Sequence, residues 1–378
     1  MPGNYEEVKV MSANKQKTFA GNVLTVNGLV DPEELGVTIM HEHIILDISL
    51  DPVPEFNAPV TDLDLWQQKL TLENLHSARE GKLIKDNFML TDESVAVKEL
   101  QHFKNEGGRT VVEVSSIGLG RDPLALRRIA NKTGLNIVMG SGWYRTAYHP
   151  SNMDQRTVED LTKEIVQDIT VGVDGTGIRS GIIGEVGIEG NPLKPNEIKS
   201  IKASARASRE TGAAISFHKG GTDREKLEVA AILKEEGAEL SRVVFGHSDW
   251  WAGDIPLLLE ILKLGAYVQF DILGRVAAPV ARYPNNHDLN ILSLYPAAND
   301  VLVAEAIPRL IEAGYEDKIL LAQDVCWKTQ LKAYGGTGYS FILEKFLPYL
   351  RTKGVSDPQI DKMMVANPME VLTLADAS

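Results

Sequence analysis

Five apolar runs in this chain each end on a histidine or a carboxylate. Gly36-Val37-Thr38-Ile39-Met40 leads into His41-Glu42-His43. Gly181-Ile182-Ile183-Gly184 ends on Glu185, and Ala214-Ile215-Ser216-Phe217 ends on His218. Val243-Val244-Phe245-Gly246 ends on His247, and Ile319-Leu320-Leu321-Ala322-Gln323 ends on Asp324. Runs of this length read as parallel strands buried on both faces. Ligand-type side chains at the C-terminal ends of such strands lie where a (β/α)8 TIM barrel keeps its chemistry. Four histidines and two carboxylates suit two divalent metal ions that share a bridge.

The rest of the chain fits that frame. Strands are expected near 37–43, 109–115, 136–142, 181–187, 213–218, 243–247, 266–271 and 318–324, with a helix-period segment after most of them. Alternating strands and helices imply a parallel sheet with right-handed crossovers, and eight units suggest closure into a barrel. Ahead of them, Val23 to Val30 with Asn27-Gly28 at its centre predicts a β-hairpin. Thr91-Asp92-Glu93-Ser94 opens a helix that stops at Gly107-Gly108, Lys194-Pro195 one that stops at Gly212, and Asp223 one that stops at Gly237. A helix is also expected over 64–81. The long connection from Ile272 to about Asn299 carries Arg275, Arg282, Tyr283 and His287, and loops of that length on a catalytic face commonly cover substrate. Residues 1–18 read as a disordered polar tail and 19–378 as one domain.

Composition excludes several classes. A net charge of −13 opposes a nucleic-acid or anionic-membrane surface. No apolar stretch approaches the roughly 20 residues of a membrane span. One cysteine, Cys326, permits no internal disulfide and fits a reducing compartment. The expected location is the cytoplasm.

Residues i and i+2 of a strand share a face, so His41 and His43 both enter the barrel mouth and Glu42 turns away. A lone His-x-His is a weak signal. Its weight comes from Glu185, His218, His247 and Asp324 at four further strand ends. His76 and His102 fall in helices and read as surface positions, and Glu189 reads as a loop charge. His149 follows the third strand, near enough to the mouth to touch substrate.

At these residues the chain resembles the phosphotriesterase family of the amidohydrolase superfamily, from Thr25 to about Leu372. The motifs are Leu35 to His43, Gly120-Arg121-Asp122-Pro123, Gly338 to Leu343, and Val365-Ala366-Asn367-Pro368. Asp174-Gly175-Thr176-Gly177 and Lys332-Ala333-Tyr334-Gly335-Gly336 resemble the phosphotriesterase-related branch most closely. That branch implies hydrolysis of N-acetyltaurine and similar N-acyl amino acids. By the resemblance, His41, His43 and Asp324 hold a buried metal and His218 and His247 a more exposed one. Glu185 bridges them together with a hydroxide. Bacterial phosphotriesterases carry a carboxylated lysine at the Glu185 position, and this departure counts against triesterase action. Family members are often homodimers, which the resemblance extends to this chain as an expectation.

The expected cofactor is a pair of divalent ions, zinc first, with manganese and cobalt also compatible with the ligands. Asp324 is the expected proton carrier to the leaving amine. An anionic substrate of an acidic protein needs a local cation. Arg275 is the first choice for it, with Lys219, Arg145 and Lys328 as alternatives, while Trp143 and Tyr144 wall the acyl pocket. The competing readings are a lactonase or phosphotriesterase, and a non-catalytic ligand-binding protein stabilised by its metal.

Overall fold

The computed structural model describes residues 19–50, 53–54, 58–218, 224–275 and 299–377. The expected tail, 1–18, lies outside them, as do Lys219 and the loop positions Arg282, Tyr283 and His287. The hairpin is present as β1 (Val23–Thr25) and β2 (Gly28–Val30), paired antiparallel. β3 is Thr38–Glu42, the first of the eight expected strands. Two short strands follow outside the main sheet, β4 (Leu46–Asp47) and β5 (Met89–Leu90). The other seven strands are β6 (Thr110–Glu113), β7 (Asn136–Ser141), β8 (Ile182–Gly187), β9 (Ile215–His218), β10 (Val243–Phe245), β11 (Tyr267–Phe270) and β12 (Ile319–Leu321).

The eight strands lie side by side in chain order, β3-β6-β7-β8-β9-β10-β11-β12, and every pairing between neighbours is parallel. First and last strands meet through two devices. The Asp324 amide donates to the His41 carbonyl at 3.1 Å. The Glu42 carboxylate accepts from the amides of Gln323 (2.8 Å) and Val325 (2.9 Å). Glu42, expected simply to turn away from the mouth, therefore stitches the sheet into a barrel. Burial pushes its carboxyl up to about 8, against the pull of those two amides.

Helix boundaries follow local chemistry. Val60–Trp66 (α1) and Leu75–Arg79 (α2) occupy the region where one helix over 64–81 was expected. Between them the Asn74 side chain accepts from the Thr71 amide at 2.8 Å and donates to the Lys69 carbonyl at 2.9 Å. Such side-chain bonds offer the backbone a turn in place of a helix. Glu93–Asn105 (α3) starts at Asp92, whose carboxylate accepts from the Ser94 and Val95 amides. Pro123–Thr133 (α4) starts on Asp122-Pro123 and stops at Gly134. Val158–Thr170 (α5), Pro195–Thr211 (α6), Glu225–Glu235 (α7), Ile255–Lys263 (α8) and Asp300–Glu312 (α9) continue the outer layer, and Leu347–Thr352 (α10), Asp357–Asp361 (α11) and Asn367–Leu372 (α12) follow β12. Among the described residues no helix is long and apolar enough to cross a membrane.

The strands are buried on both faces, and alternate residues belong to different apolar clusters. Ile39, Val111, Ile137, Ile183, Ile215, Val243, Val268 and Ile319 pack with helix residues such as Leu100, Leu126 and Ile165. Met40, Val112, Val138, Ile182, Ala214, Val244, Tyr267 and Leu320 form a second cluster inside the barrel, joined by Val23 and Leu35 from the hairpin region. Burying one such side chain contributes about 1.5–3 kcal/mol. Neither face can turn to water, which is why the strands read as continuous apolar runs.

Candidate metal centre

The strand alternation places His218, Asp271 and Asp324 in phase with the barrel interior. His41, Glu185 and His247 are out of phase with it, and the backbone re-aims each of them. The β3–β6 register shifts between Ile39 and Glu42, and the β8–β9 register shifts between Ile183 and Val186. A bulge adds one residue to a strand and turns the next side chains toward the other face. Gly184 makes the second shift feasible. Its φ is +141°, and a Cβ there would lie 2.5 Å from the Ser216 carbonyl oxygen. His247 takes φ 51° and Asp324 φ 47°. Left-handed backbone at a non-glycine residue costs on the order of 1–3 kcal/mol and persists only where the surroundings enforce it.

Glu185 is the hub. Its Oε1 lies 2.6 Å from His218 Nδ1, 3.2 Å from His41 Nε2 and 3.5 Å from His247 Nε2, and its Oε2 lies 3.7 Å from His43 Nε2. Asp324 Oδ1 is 3.2 Å from His43 Nε2 and 3.9 Å from His41 Nε2. His247 Nε2 is 2.8 Å from His218 Nδ1. All six expected ligands therefore converge on one space. His41, His43 and Asp324 form one cluster close enough to share an ion, and His41, Glu185 and His247 form another. His218 is the most exposed of the six, at 18% of its side chain. His41 Nε2 is buried without a hydrogen-bond partner, and it faces the Glu185 and Asp324 carboxylates. An orphaned imidazole nitrogen among carboxylate oxygens is the donor set a divalent cation takes.

The electrostatics agree. Burial disfavours the charged form of His41, yet Glu185 and Asp271 outweigh it and hold its pKa well above the ordinary value. His247 is treated the same way, chiefly by Asp271, and is raised to about 9. Burial lowers His218 to about 4, only partly countered by Glu185. Both shifts favour a protonated ring beside the buried carboxylates.

Several contributors were missed from sequence. Ser115 Oγ lies 2.9 Å from His43 Nδ1, which leaves Nε2 for the site. Glu113 accepts from the Ile44 and Ser115 amides and so fixes the turn after β3. Tyr339 donates to the His43 carbonyl at 2.7 Å. Asp271 reaches both His41 and His247. Like the six expected ligands it stands at a strand end, directly after β11, and that position is the sequence signal that points to it.

The expected substrate residues divide. The Tyr144 hydroxyl sits 3.3 Å from His218 Nδ1, and its ring packs edge-on against that imidazole. Burial and Glu185 hold its pKa well above the ordinary phenol value, so it stays a neutral donor. Trp143 is fully buried with the Arg156 guanidinium over its ring, which makes it packing beneath the mouth instead of a wall of it. His149 Nε2 contacts the Tyr144 carbonyl at 2.8 Å and braces that loop. Arg145 pairs with Glu189 and lies over the Tyr144 and Tyr148 rings. Lys328 pairs with Asp86 beside a cavity of about 60 Å³ lined by Ile44, Leu90, Val95 and Tyr339. Arg275 is placed differently, because its guanidinium pairs with Asp324 and stacks over Trp327.

Comparison with known proteins agrees with this fold. The model of the phosphotriesterase family matches residues 21–372. An N-acetyltaurine hydrolase from Dictyostelium discoideum is 36% identical over 374 residues, covering 94% of this chain and 98% of that protein. The crystal structure of a resiniferatoxin-binding protein from Rhodobacter sphaeroides superposes with a TM-score of 0.84 at 34% identity, covering 93% of this chain and 95% of that one. That of a lactonase from Listeria monocytogenes superposes with a TM-score of 0.73 at 26% identity, covering 94% and 100%. With its barrel, its strand-end histidines and carboxylates and its near full-length match, the chain belongs to the phosphotriesterase family.

Proposed function

We propose that this hydrolase is a binuclear metal enzyme that cleaves the amide bond of N-acetyltaurine and related N-acyl amino acids. The carrying observation is the single carboxylate of Glu185 within 2.6–3.7 Å of imidazole nitrogens from four histidines. His41, His43 and Asp324 would hold one ion, His218 and His247 the other, and Glu185 both. Bound there, divalent ions supply a water of lowered pKa and a Lewis acid for the scissile carbonyl. Asp324 accepts the proton of the attacking water and returns it to the leaving nitrogen. Arg275, at the mouth beside Asp324, meets the sulfonate or carboxylate of the substrate. The likeness to the Dictyostelium hydrolase supports the substrate class.

A second reading, a lactonase, is favoured by the likeness to the Listeria lactonase. One panel separates the readings: metal-replete protein assayed on N-acetyltaurine, N-acetyl amino acids, lactones and an activated phosphotriester. Acetate release from the N-acetyl compounds at the highest kcat/KM supports the proposal. Faster lactone opening makes the chain a lactonase. No turnover of any of the substrates at two bound ions leaves a binding protein.

Metal binding should strengthen with pH. His247 has a folded pKa of about 9, above the ordinary 6.5. Its proton therefore stabilises the metal-free fold fully below about 6.5, and that contribution is lost as pH rises through about 9. A metal ion needs the neutral imidazole, so binding must expel this proton. Between pH 6.5 and 9 the Tm of the metal-free protein should fall while the Tm gain on adding zinc grows. A zinc-induced gain that is flat or shrinking over that range contradicts the assignment.

Arg275→Ala should raise KM for N-acetyltaurine about 10–100-fold, the loss of one hydrogen-bonded charge pair. KM for a neutral N-acetyl amide should change far less. Equal changes on both substrates would move the anion site to Lys219, Lys328 or Arg145.

A further inference from the structure

Asp271 touches the ligands of both clusters. Its Oδ1 lies 2.6 Å from His247 Nδ1 and accepts from the His247 amide at 2.9 Å. Its Oδ2 lies 3.1 Å from His41 Nδ1. The Gln269 amide donates to the same Oδ2 at 2.8 Å, and its nitrogen is 3.0 Å from His41 Nδ1. The backbone under Asp271 is fixed in turn, since Asp249 accepts from the amides of Asp271 (2.8 Å) and Ile272 (3.2 Å). The Asp271 side chain is wholly buried, so water cannot replace any of these contacts.

We propose that Asp271 is a positioning residue shared by both metal positions: one carboxylate holds His41 Nδ1 and His247 Nδ1 together and aims both Nε2 atoms at Glu185. This rests on the binuclear reading above. The hydrogen bond on one ring nitrogen of a histidine sets which nitrogen is left to ligate, and it fixes the ring plane. Separate partners would let each position form alone. A shared partner makes the two ligand sets rise and fall together. Gly246 leaves space for the arrangement, because a Cβ there would lie 3.0 Å from Asp271 Oδ2 and 3.5 Å from His41 Nδ1.

The test is zinc titration of the metal-free wild type, Asp271→Ala and Asp271→Asn against a chromogenic chelator. Elemental analysis gives the stoichiometry, and the absorption spectrum of the cobalt-loaded forms reports ligand geometry. The wild type should bind two ions. Asp271→Ala should weaken both binding steps, each by on the order of 10–100-fold, the usual cost of losing an outer-shell partner. Its cobalt spectrum should shift. Asp271→Asn keeps the shape but can turn its oxygen to only one imidazole, so it should weaken one step more than the other. It serves alone if the alanine variant does not fold. Unchanged affinities with only a lower Tm of the metal-free protein would make Asp271 a packing residue and overturn the proposal. Weakening of a single step in Asp271→Ala would overturn the shared role. A wild type that holds fewer than two ions would overturn the binuclear reading itself, and this inference with it.

Discussion

Glu185→Gln should remove the capacity for two metal ions and lower kcat/KM by at least about 10³-fold, because several kcal/mol of charge stabilisation goes with the ions. The substitution is nearly isosteric, so its effect is one of charge and donor chemistry. Glu185 is buried, and its carboxyl is held well below the ordinary range. Burial alone would raise it, but His218 and His41 outweigh burial. An amide in its place brings an NH2 group to face imidazole nitrogens that must themselves stay free to ligate. At most one ion should remain by elemental analysis, held by His41, His43 and Asp324. A Gln variant that retains two ions and near wild-type rates would show that Glu185 is not the bridge. The same residue predicts how the centre is assembled. A carboxylated lysine must be built from dissolved carbon dioxide, whereas Glu185 carries its own carboxylate. Reconstitution of metal-free protein should proceed equally with and without bicarbonate.

The barrel was legible because its strands are buried twice over. Residues such as Val111 and Val112 face the helices and the interior in turn, and both must be apolar. Every strand therefore stands out as a run, and Asp92 and Gly212 mark helix ends through cap geometry that depends on residue type. The region over 64–81 failed for a local reason, since the bonds made by Asn74 could not be foreseen from helical periodicity.

That six histidine and carboxylate side chains stand at strand ends was legible in the sequence, but the reason they converge was not. A strict period of two would send His41 and Glu185 toward the helices with Ile39 and Ile183. The register shifts in β3 and β8 and the left-handed backbone of His247 correct this. Such features depend on what neighbouring strands permit, and no single run of sequence encodes them. The same limit hid Asp271, whose value lies in two contacts with distant residues. It also made Trp143 look like a pocket wall, because an aromatic residue after a strand can pack inward as readily as it faces substrate.

Asp324→Asn should keep most of the bound metal and lose at least about a hundredfold in kcat on an N-acetyl amino acid, within the 10²–10⁴-fold range of general acid–base assistance. The two oxygens of Asp324 are engaged differently. Oδ1 faces His43 Nε2 at 3.2 Å, and Oδ2 meets the Arg275 guanidinium. Burial pushes the carboxyl up, but Arg275 and the histidines outweigh it, so it stays ionised at neutral pH and can take a proton. Asparagine preserves the shape and one ligand oxygen while removing the base. The substrate decides whether the loss is truly one of proton transfer. An amine anion leaves poorly, so an amide needs the returned proton, whereas the leaving group of an activated ester hardly needs it. The ester rate should therefore fall much less than the amide rate. Arg275→Ala breaks the same contact and keeps the Asp324 carboxylate, so its kcat at saturating substrate, where the lost anion contact no longer counts, is the control for the disturbed ion pair. If amide and ester fall by the same factor at unchanged metal content, Asp324 is a ligand only, and the proton reaches the leaving nitrogen by another route.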